Sequence, residues 1–263
     1  MNAYLTSLSA IVKREALRFV HQRERFIAAL VRPLVWLLVF AAGFRAALGL
    51  SIIPPYQTYI TYETYIVPGL CGMVLLFNGM QSSLSLVYDR EMGSMKLLLT
   101  SPLPRWWLLF CKLIGSTAIS VLQVYAFLGI AAAFGITMPL IGYVTVLPAL
   151  VVAGVMLGAL GLLLSSFIKQ LENFSGVMNF VIFPTFFLSS ALYPLWKMAE
   201  SSELLYKICA INPFTQAVEL IRFALYANFN GTALFWSLSA AVIFTFVAVW
   251  GYNPARTGLA KRG

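Results

Sequence analysis

Charged residues along this chain cluster in short stretches separated by long apolar runs. No Asp, Glu, Lys or Arg occurs in 64–88, 113–168, 173–196 or 223–255. A helical membrane crossing needs about 20 mainly apolar residues to cover a hydrocarbon core of about 30 Å. Each run meets that length. The run 113–168 is long enough for two crossings, with Met138-Pro139-Leu140-Ile141-Gly142 reading as the turn between them. The pattern predicts six spans, at about 27–48, 65–87, 106–134, 143–167, 174–193 and 232–252. Arg32 and Arg45 fall near the two ends of the first, where long side chains can snorkel to the headgroups.

The polar stretches carry patterns of their own. In residues 1–26, Leu5, Leu8, Val12, Ala16 and Phe19 recur at helical spacing, with Lys13, Arg14 and Arg18 off the stripe. That predicts an amphipathic helix on the membrane surface. The stretch Asp89 to Arg105 is charged, then leucine-rich, then broken by Pro102 and Pro104, which predicts a short amphipathic helix over 89–101. Segment 194–226 exceeds the usual length of a structureless loop, about 12–15 residues. Within it, Asn212 before Pro213 reads as a helix start, and Glu219 and Arg222 stand at a spacing that lets them pair.

Composition sharpens the class. The 263 residues are 60% hydrophobic and 10% charged, with a mean hydropathy of +0.86. Soluble domains run near 45–50% apolar and about 25% charged. A soluble enzyme, a disordered chain and a secreted disulfide scaffold are excluded, leaving an all-α polytopic membrane protein. Cys71, Cys111 and Cys209 are isolated and His21 is the single histidine, so the spacing predicts neither a disulfide framework nor a metal centre. No cleavable leader is expected, because residues 1–26 are too charged.

The charge also orients the chain. With the N-terminus, 88–105, 168–172 and the C-terminal tail in the cytoplasm, and Lys112 snorkelling to that face, only Arg45, Lys197, Lys207 and Arg222 among the basic residues lie outside. Glu63, Glu200, Glu203 and Glu219 balance them, so the whole excess of +9 falls on one face, as the positive-inside rule requires. Both termini are then cytoplasmic and the span number is even. Tyr56, Tyr59, Tyr62 and Tyr65 read as an aromatic belt at the outer interface, and Trp106 and Trp107 as the inner one. Gly154, Gly158 and Gly161 predict close helix packing.

The loop Asp89-Arg90-Glu91-Met92-Gly93-Ser94-Met95-Lys96, with Leu98, Ser101 and Pro102, resembles the first cytoplasmic loop of permease subunits of type-2 ABC exporters. In that family an Arg-Glu-x-Gly-Ser/Thr core is followed by leucines and a Ser/Thr-Pro. Asn212-Pro213-Phe214 through Glu219, Leu220 and Arg222 resembles the family's motif before the last span, and Ser175 to Pro194 its fifth span. More weakly, the chain is similar to permeases associated with bacterial PQQ-dependent alcohol oxidation.

The resemblance implies one transmembrane domain over 1–263 in a bacterial inner membrane. Residues 1–26 would be interfacial, 27–193 would hold spans one to five, 194–226 would form two short re-entrant helices at the outer mouth, and 232–252 would be span six. It implies that helix 89–101 couples to a separate ATPase subunit, with Arg90, Glu91, Gly93, Ser94, Lys96, Leu98 and Pro102 as the coupling residues. Arg14, Arg18 and Arg23 would make a second contact. Spans two and five would line a path between two permease copies, which would form a homodimer, and this singles out Asn78, Gln81, Asn179 and Thr185. The chain has no Gly-x-x-x-x-Gly-Lys-Ser/Thr phosphate loop. No cofactor is expected on it; ATP and Mg would sit on the partner ATPase. It would not itself be an enzyme, its other neighbours would be membrane lipids, and no nucleic acid is expected.

Three rivals make different demands. An ion- or proton-coupled secondary carrier needs inverted repeats or ionisable residues buried mid-span, and the sequence offers neither. A membrane anchor subunit would tolerate loss of the loop residues. A membrane-embedded enzyme would need clustered His, Asp or Glu at one face, which is missing too.

Overall fold

The computed structural model describes residues 3–21, 23–44, 54–56, 60–92, 103–168 and 170–252, and the side chains of 3, 18–20, 23–26, 28–29, 40–44 and 105 fall outside that description. All regular structure among the described residues is helical: α1 Ala3–His21, α2 Arg23–Phe44, α3 Tyr62–Glu91, α4 Arg105–Ala133, α5 Gly142–Phe167, α6 Leu171–Phe187, α7 Leu195–Ser201, α8 Glu203–Ile211, α9 Pro213–Leu225 and α10 Gly231–Gly251. A helix occupies each of the six segments expected to span. By length and apolarity α3, α4, α5 and α10 are sufficient to cross a membrane. The helix α6 is shorter than predicted, ending at Phe187 instead of 193, because residues 188–194 turn away toward α7.

The centre of the bundle is the pair α3 and α5. The helix α3 is packed by α5, α4, α2, α9 and α6, and α5 also supports α10. Between membrane helices lipid offers no hydrophobic driving force, so close approach and hydrogen bonds carry the association. The glycines supply the approach. A Cβ on Gly161 would lie 2.6 Å from Ser83 Oγ and 2.8 Å from the Gly79 carbonyl oxygen, and one on Gly79 would lie 2.9 Å from the Gly158 Cα. Gly158 and Gly161 therefore bring the α5 backbone onto α3, while a Cβ on Gly154 would meet Thr117 of α4 at 2.8 Å.

The helix α6 contrasts with this pair. Its buried residues, Phe174, Met178, Ile182 and Phe186, form a single i, i+4 stripe laid on α3. Asn179, Phe180 and Phe183 are exposed.

Four expectations need correcting. The outer segment holds three helices, α7 to α9, where two were expected, because Ser202 starts a new helix by accepting from the Leu205 N–H. Arg32 does not sit near a helix end: it lies in the middle of α2 with its guanidinium 3.8 Å from the centre of the Phe77 ring. Lys112 does not snorkel either. It is buried, and its Nζ donates to Ser85 Oγ at 2.6 Å. Tyr62 and Tyr65 are no interfacial belt: both are fully buried and donate to the carbonyl oxygens of Leu192 and Ser190, each at 3.0 Å. Tyr59 lies outside the described residues.

The amphipathic helix also turns a different face inward. Ser7, Leu8, Ile11, Val12 and Glu15 are the sheltered positions of α1, while Leu5 and Ala16 are exposed. The helix lies along α4, where Trp107 Nε1 donates to Ser7 Oγ at 3.0 Å, Tyr4 packs edge-on to Trp107, and Gly115 leaves room for Glu15. That contact, and not the membrane surface alone, sets the rotation of α1.

Candidate functional site

The two motif regions sit at opposite ends of α6, and each ties that helix to the bundle. At the first end, Asp89, Arg90 and Glu91 belong to the last turn of α3, continuous with the span. The remaining coupling positions Gly93, Ser94, Lys96, Leu98 and Pro102 lie outside the described residues. The Glu91 side chain accepts from the Leu171 N–H at 3.2 Å. Leu171 is the first residue of α6, so this N–H has no partner within its own helix. A carboxylate there also complements the helix dipole, worth about 0.3–1 kcal/mol at a surface.

Arg90 turns to the neighbouring chain ends. Its Nη1 donates to the carbonyl oxygen of Ile168, the residue that closes α5, at 3.4 Å. Its guanidinium stacks 4.8 Å from the centre of the Tyr252 ring at the end of α10. The Tyr252 hydroxyl in turn shares a 2.8 Å hydrogen bond with Ser165 of α5. Among the described residues, the buried Nη2 of Arg90 has no acceptor in hydrogen-bond geometry. Arg90 and Glu91 thus join the ends of α3, α5, α6 and α10.

At the other end, Asn212 performs three tasks. Its Oδ1 accepts from the Phe214 N–H at 3.0 Å, capping α9, and Pro213 fills the first helical position as expected. Its Nδ2 donates to the carbonyl oxygens of Thr185 and Leu188, at 2.7 and 2.6 Å, satisfying the orphan end of α6. Further along α9, Arg222 pairs with Glu219 as the spacing predicted, with the arginine buried and the glutamate half-buried. Arg222 Nη2 donates to the Ser190 carbonyl oxygen at 2.8 Å, Ser190 Oγ donates to Glu219 Oε1 at 2.6 Å, and the guanidinium lies 4.2 Å from the centre of the Tyr65 ring. Tyr56 packs edge-on to Tyr226 beside this cluster. Burial pushes its phenol up to about 12, against the pull of Arg222.

The four path residues separate. Gln81 and Asn179 are exposed on the single chain, and the Thr185 side chain is half-buried. Asn78 is different: its amide donates to Gln123 of α4, which draws it into the bundle. Of the N-terminal residues, Arg14 is exposed and pairs with Glu15 at 3.2 Å. Arg18 and Arg23 stand on α1 and α2 with side chains outside the described set.

The sequence reading missed a buried polar row and misplaced its first member, Lys112. Lys112, Ser116, Ser120 and Gln123 all lie buried on α4. Their spacing of three and four residues within an apolar span was the available signal. Nothing comparable pointed to Tyr252 or Ser165, which meet Arg90 only through the fold. Among the described residues no three His, Cys, Asp or Glu side chains stand together as metal ligands would.

Comparison with known proteins identifies the family. Residues 6–226 match the ABC-2 type transporter family, a span that includes both ends of α6. The chain is 30% identical over 243 residues to the transport permease ycf38 of Porphyra purpurea, covering 91% of this chain and 78% of that one. It is 26% identical to ycf38 of Cyanophora paradoxa over 86% of this chain and 76% of the relative. A multidrug ABC transporter permease of Escherichia coli, YbhR, is 29% identical over 63% of this chain and 45% of its own length. The chain belongs to the ABC-2 type transporter family, as a membrane-embedded permease subunit.

Proposed function

We propose that this chain forms, with a second copy of itself, the transmembrane path of an ATP-driven exporter in a bacterial inner membrane. Six helices, α2 to α6 and α10, cross the membrane, with both termini in the cytoplasm. A separate ATPase subunit binds ATP and Mg and acts on segment 89–101. The family match over 6–226 carries this reading. The +9 excess supports the orientation, because it collects on the side of the Arg90 cluster.

In this scheme ATPase closure displaces 89–101, α3 and α6 move relative to their counterparts in the second copy, and substrate leaves outward past α7 to α9. The exposed Gln81 and Asn179 line the path, and small amphipathic molecules suit such a mildly polar surface. The E. coli relative's designation as a multidrug permease favours the same class.

The test is a gentle-detergent pull-down of the tagged chain, followed by mass spectrometry and an ATP hydrolysis assay. Co-purification of an ATPase subunit is expected, together with a mass fitting two permeases and two ATPases. A preparation without ATPase, repeated after cross-linking in native membranes, would overturn the reading.

A further inference from the structure

We infer that Arg32 selects the charge of what the permease carries. Its guanidinium, with the amide of Gln81, forms a site at mid-membrane depth for the anionic group of an amphipathic molecule, a carboxylate or sulfonate on an apolar body. This rests on the exporter reading above and names the substrate class of the same path.

The depth follows from two helices independently. Arg32 is nine residues beyond the first of the 22 in α2. Its guanidinium lies 3.8 Å from the centre of the Phe77 ring, and Phe77 stands fifteen residues from Tyr62 and fourteen from Glu91, at the middle of α3. Headgroups begin about 15 Å from the centre of a hydrocarbon core, and the side chain does not reach toward them, because it rests on that ring. An ionised side chain at such depth takes a partner or faces a water-filled cavity. Among the described residues Arg32 has no carboxylate partner and no hydrogen bond. On α2, α3 and α6 the acidic residues, Glu24, Glu63, Asp89, Glu91 and Glu172, stand only near helix ends. Arg222 is the contrast, buried and paired with Glu219. Arg32 is exposed on the single chain, so its charge is presented rather than neutralised.

The surroundings fit an amphipathic anion. Helices α2 and α6 both lie on α3. One turn on from Arg32, Trp36 packs edge-on to Phe186 and Phe187 and joins the two helices. One turn back along α6, Phe183 is exposed and stacked on Phe187, at the level of Arg32. On α3, Gln81 shares a face with Phe77, is exposed, and has no hydrogen-bond partner among the described residues. A guanidinium fork matches a carboxylate or sulfonate through two charge-assisted bonds. The Gln81 amide adds a donor, and the exposed Phe183 ring receives the apolar body. A cationic molecule would be repelled at this point.

The permease is purified with its ATPase and placed in nanodiscs of phosphatidylcholine. Photolabelling is compared for para-benzoylbenzoate, its uncharged amide and the trimethylammonium analogue, and labelled peptides are mapped by mass spectrometry. Without nucleotide, the benzoate should label peptides of α2, α3 and α6 about ten-fold more than the amide does at equal concentration, the worth of a hydrogen bond to a charged group. ATP should reduce that labelling. Arg32→Gln should lose the preference, Arg32→Lys should keep part of it, and Arg32→Glu should transfer it to the ammonium probe. Removal of a charge eases membrane insertion, and amide labelling reports that each variant is folded.

Equal labelling by benzoate and amide in the parent would overturn the site, and so would an Arg32→Gln variant that keeps the preference. Labelling that ATP leaves unaltered would mean a fixed ligand and overturn the substrate role. Adding phosphatidylglycerol to the nanodiscs should change nothing; suppression of the benzoate label would make a lipid headgroup the ligand and overturn that role too. Absence of ATPase from the parent preparation would count against the exporter reading instead, with the Arg32 comparison still read without nucleotide.

Discussion

The side-chain amide of Asn212 donates to the main-chain oxygen of Thr185 at 2.7 Å, joining the start of α9 to the end of α6. The same side chain caps α9 through its oxygen. Asn212→Ala loses the cap and two donated bonds, each worth about 1 kcal/mol, and should lower the thermal midpoint in detergent. Asn212→Asp keeps the cap acceptor but sets a carboxylate against two carbonyl oxygens, so it should not rescue. An Asp variant melting like the parent would show that the donated bonds contribute nothing.

The Glu219–Arg222 pair, whose guanidinium is buried, predicts a graded series. Glu219→Ala leaves a guanidinium uncompensated in the interior, a loss of about 3–5 kcal/mol for buried pairs. Tyr65→Phe keeps the ring beside Arg222 and loses one bond to Ser190, about 1 kcal/mol. Chemical or thermal unfolding should rank the Glu219 variant well below the Tyr65 variant, and the reverse order would contradict the burial of the guanidinium.

Close packing of α3 on α5 gives a contrast between two glycines. Gly161→Ala pushes a methyl group into Ser83 and the Gly79 backbone, whereas a Cβ on Gly129 meets nothing within 4 Å. The first substitution should reduce stability and folded yield in fluorescence-detected size exclusion, and the second should leave both unchanged. Equal behaviour would mean that α3 and α5 are further apart.

Exposure separates the path candidates. Cysteines at Gln81 and Asn179 should react with an aqueous thiol reagent in at least one nucleotide state of the native membrane complex, whereas Asn78→Cys should react far more slowly. Inertness at both 81 and 179 in every state would remove α3 and α6 from the path.

Much of the helical layout was legible from where charge is missing, because a crossing segment cannot tolerate many ions. The turn at 138–142, the start of α9 at Asn212-Pro213 and the Glu219–Arg222 pair were legible for a similar reason: each is set by neighbours within about four residues, where helix geometry is the only information needed. Gly154, Gly158 and Gly161 also announced close packing, though their partner could not be named.

What required the tertiary structure was direction and company. The sequence alone determined an all-helical membrane chain with a one-sided excess of charge and two polar motifs far apart along it. It did not determine that Lys112 turns inward to Ser85, that Tyr62 and Tyr65 are buried donors, or that Asn78 joins Gln123. Nor did it determine that Glu91 and Asn212 meet the two ends of one helix, partners separated by 80 and 27 positions respectively. The reason is physical. Hydropathy records how a segment partitions between water and lipid, whereas a polar side chain within the bundle is placed by whichever unsatisfied backbone end or hydroxyl the packing brings near it.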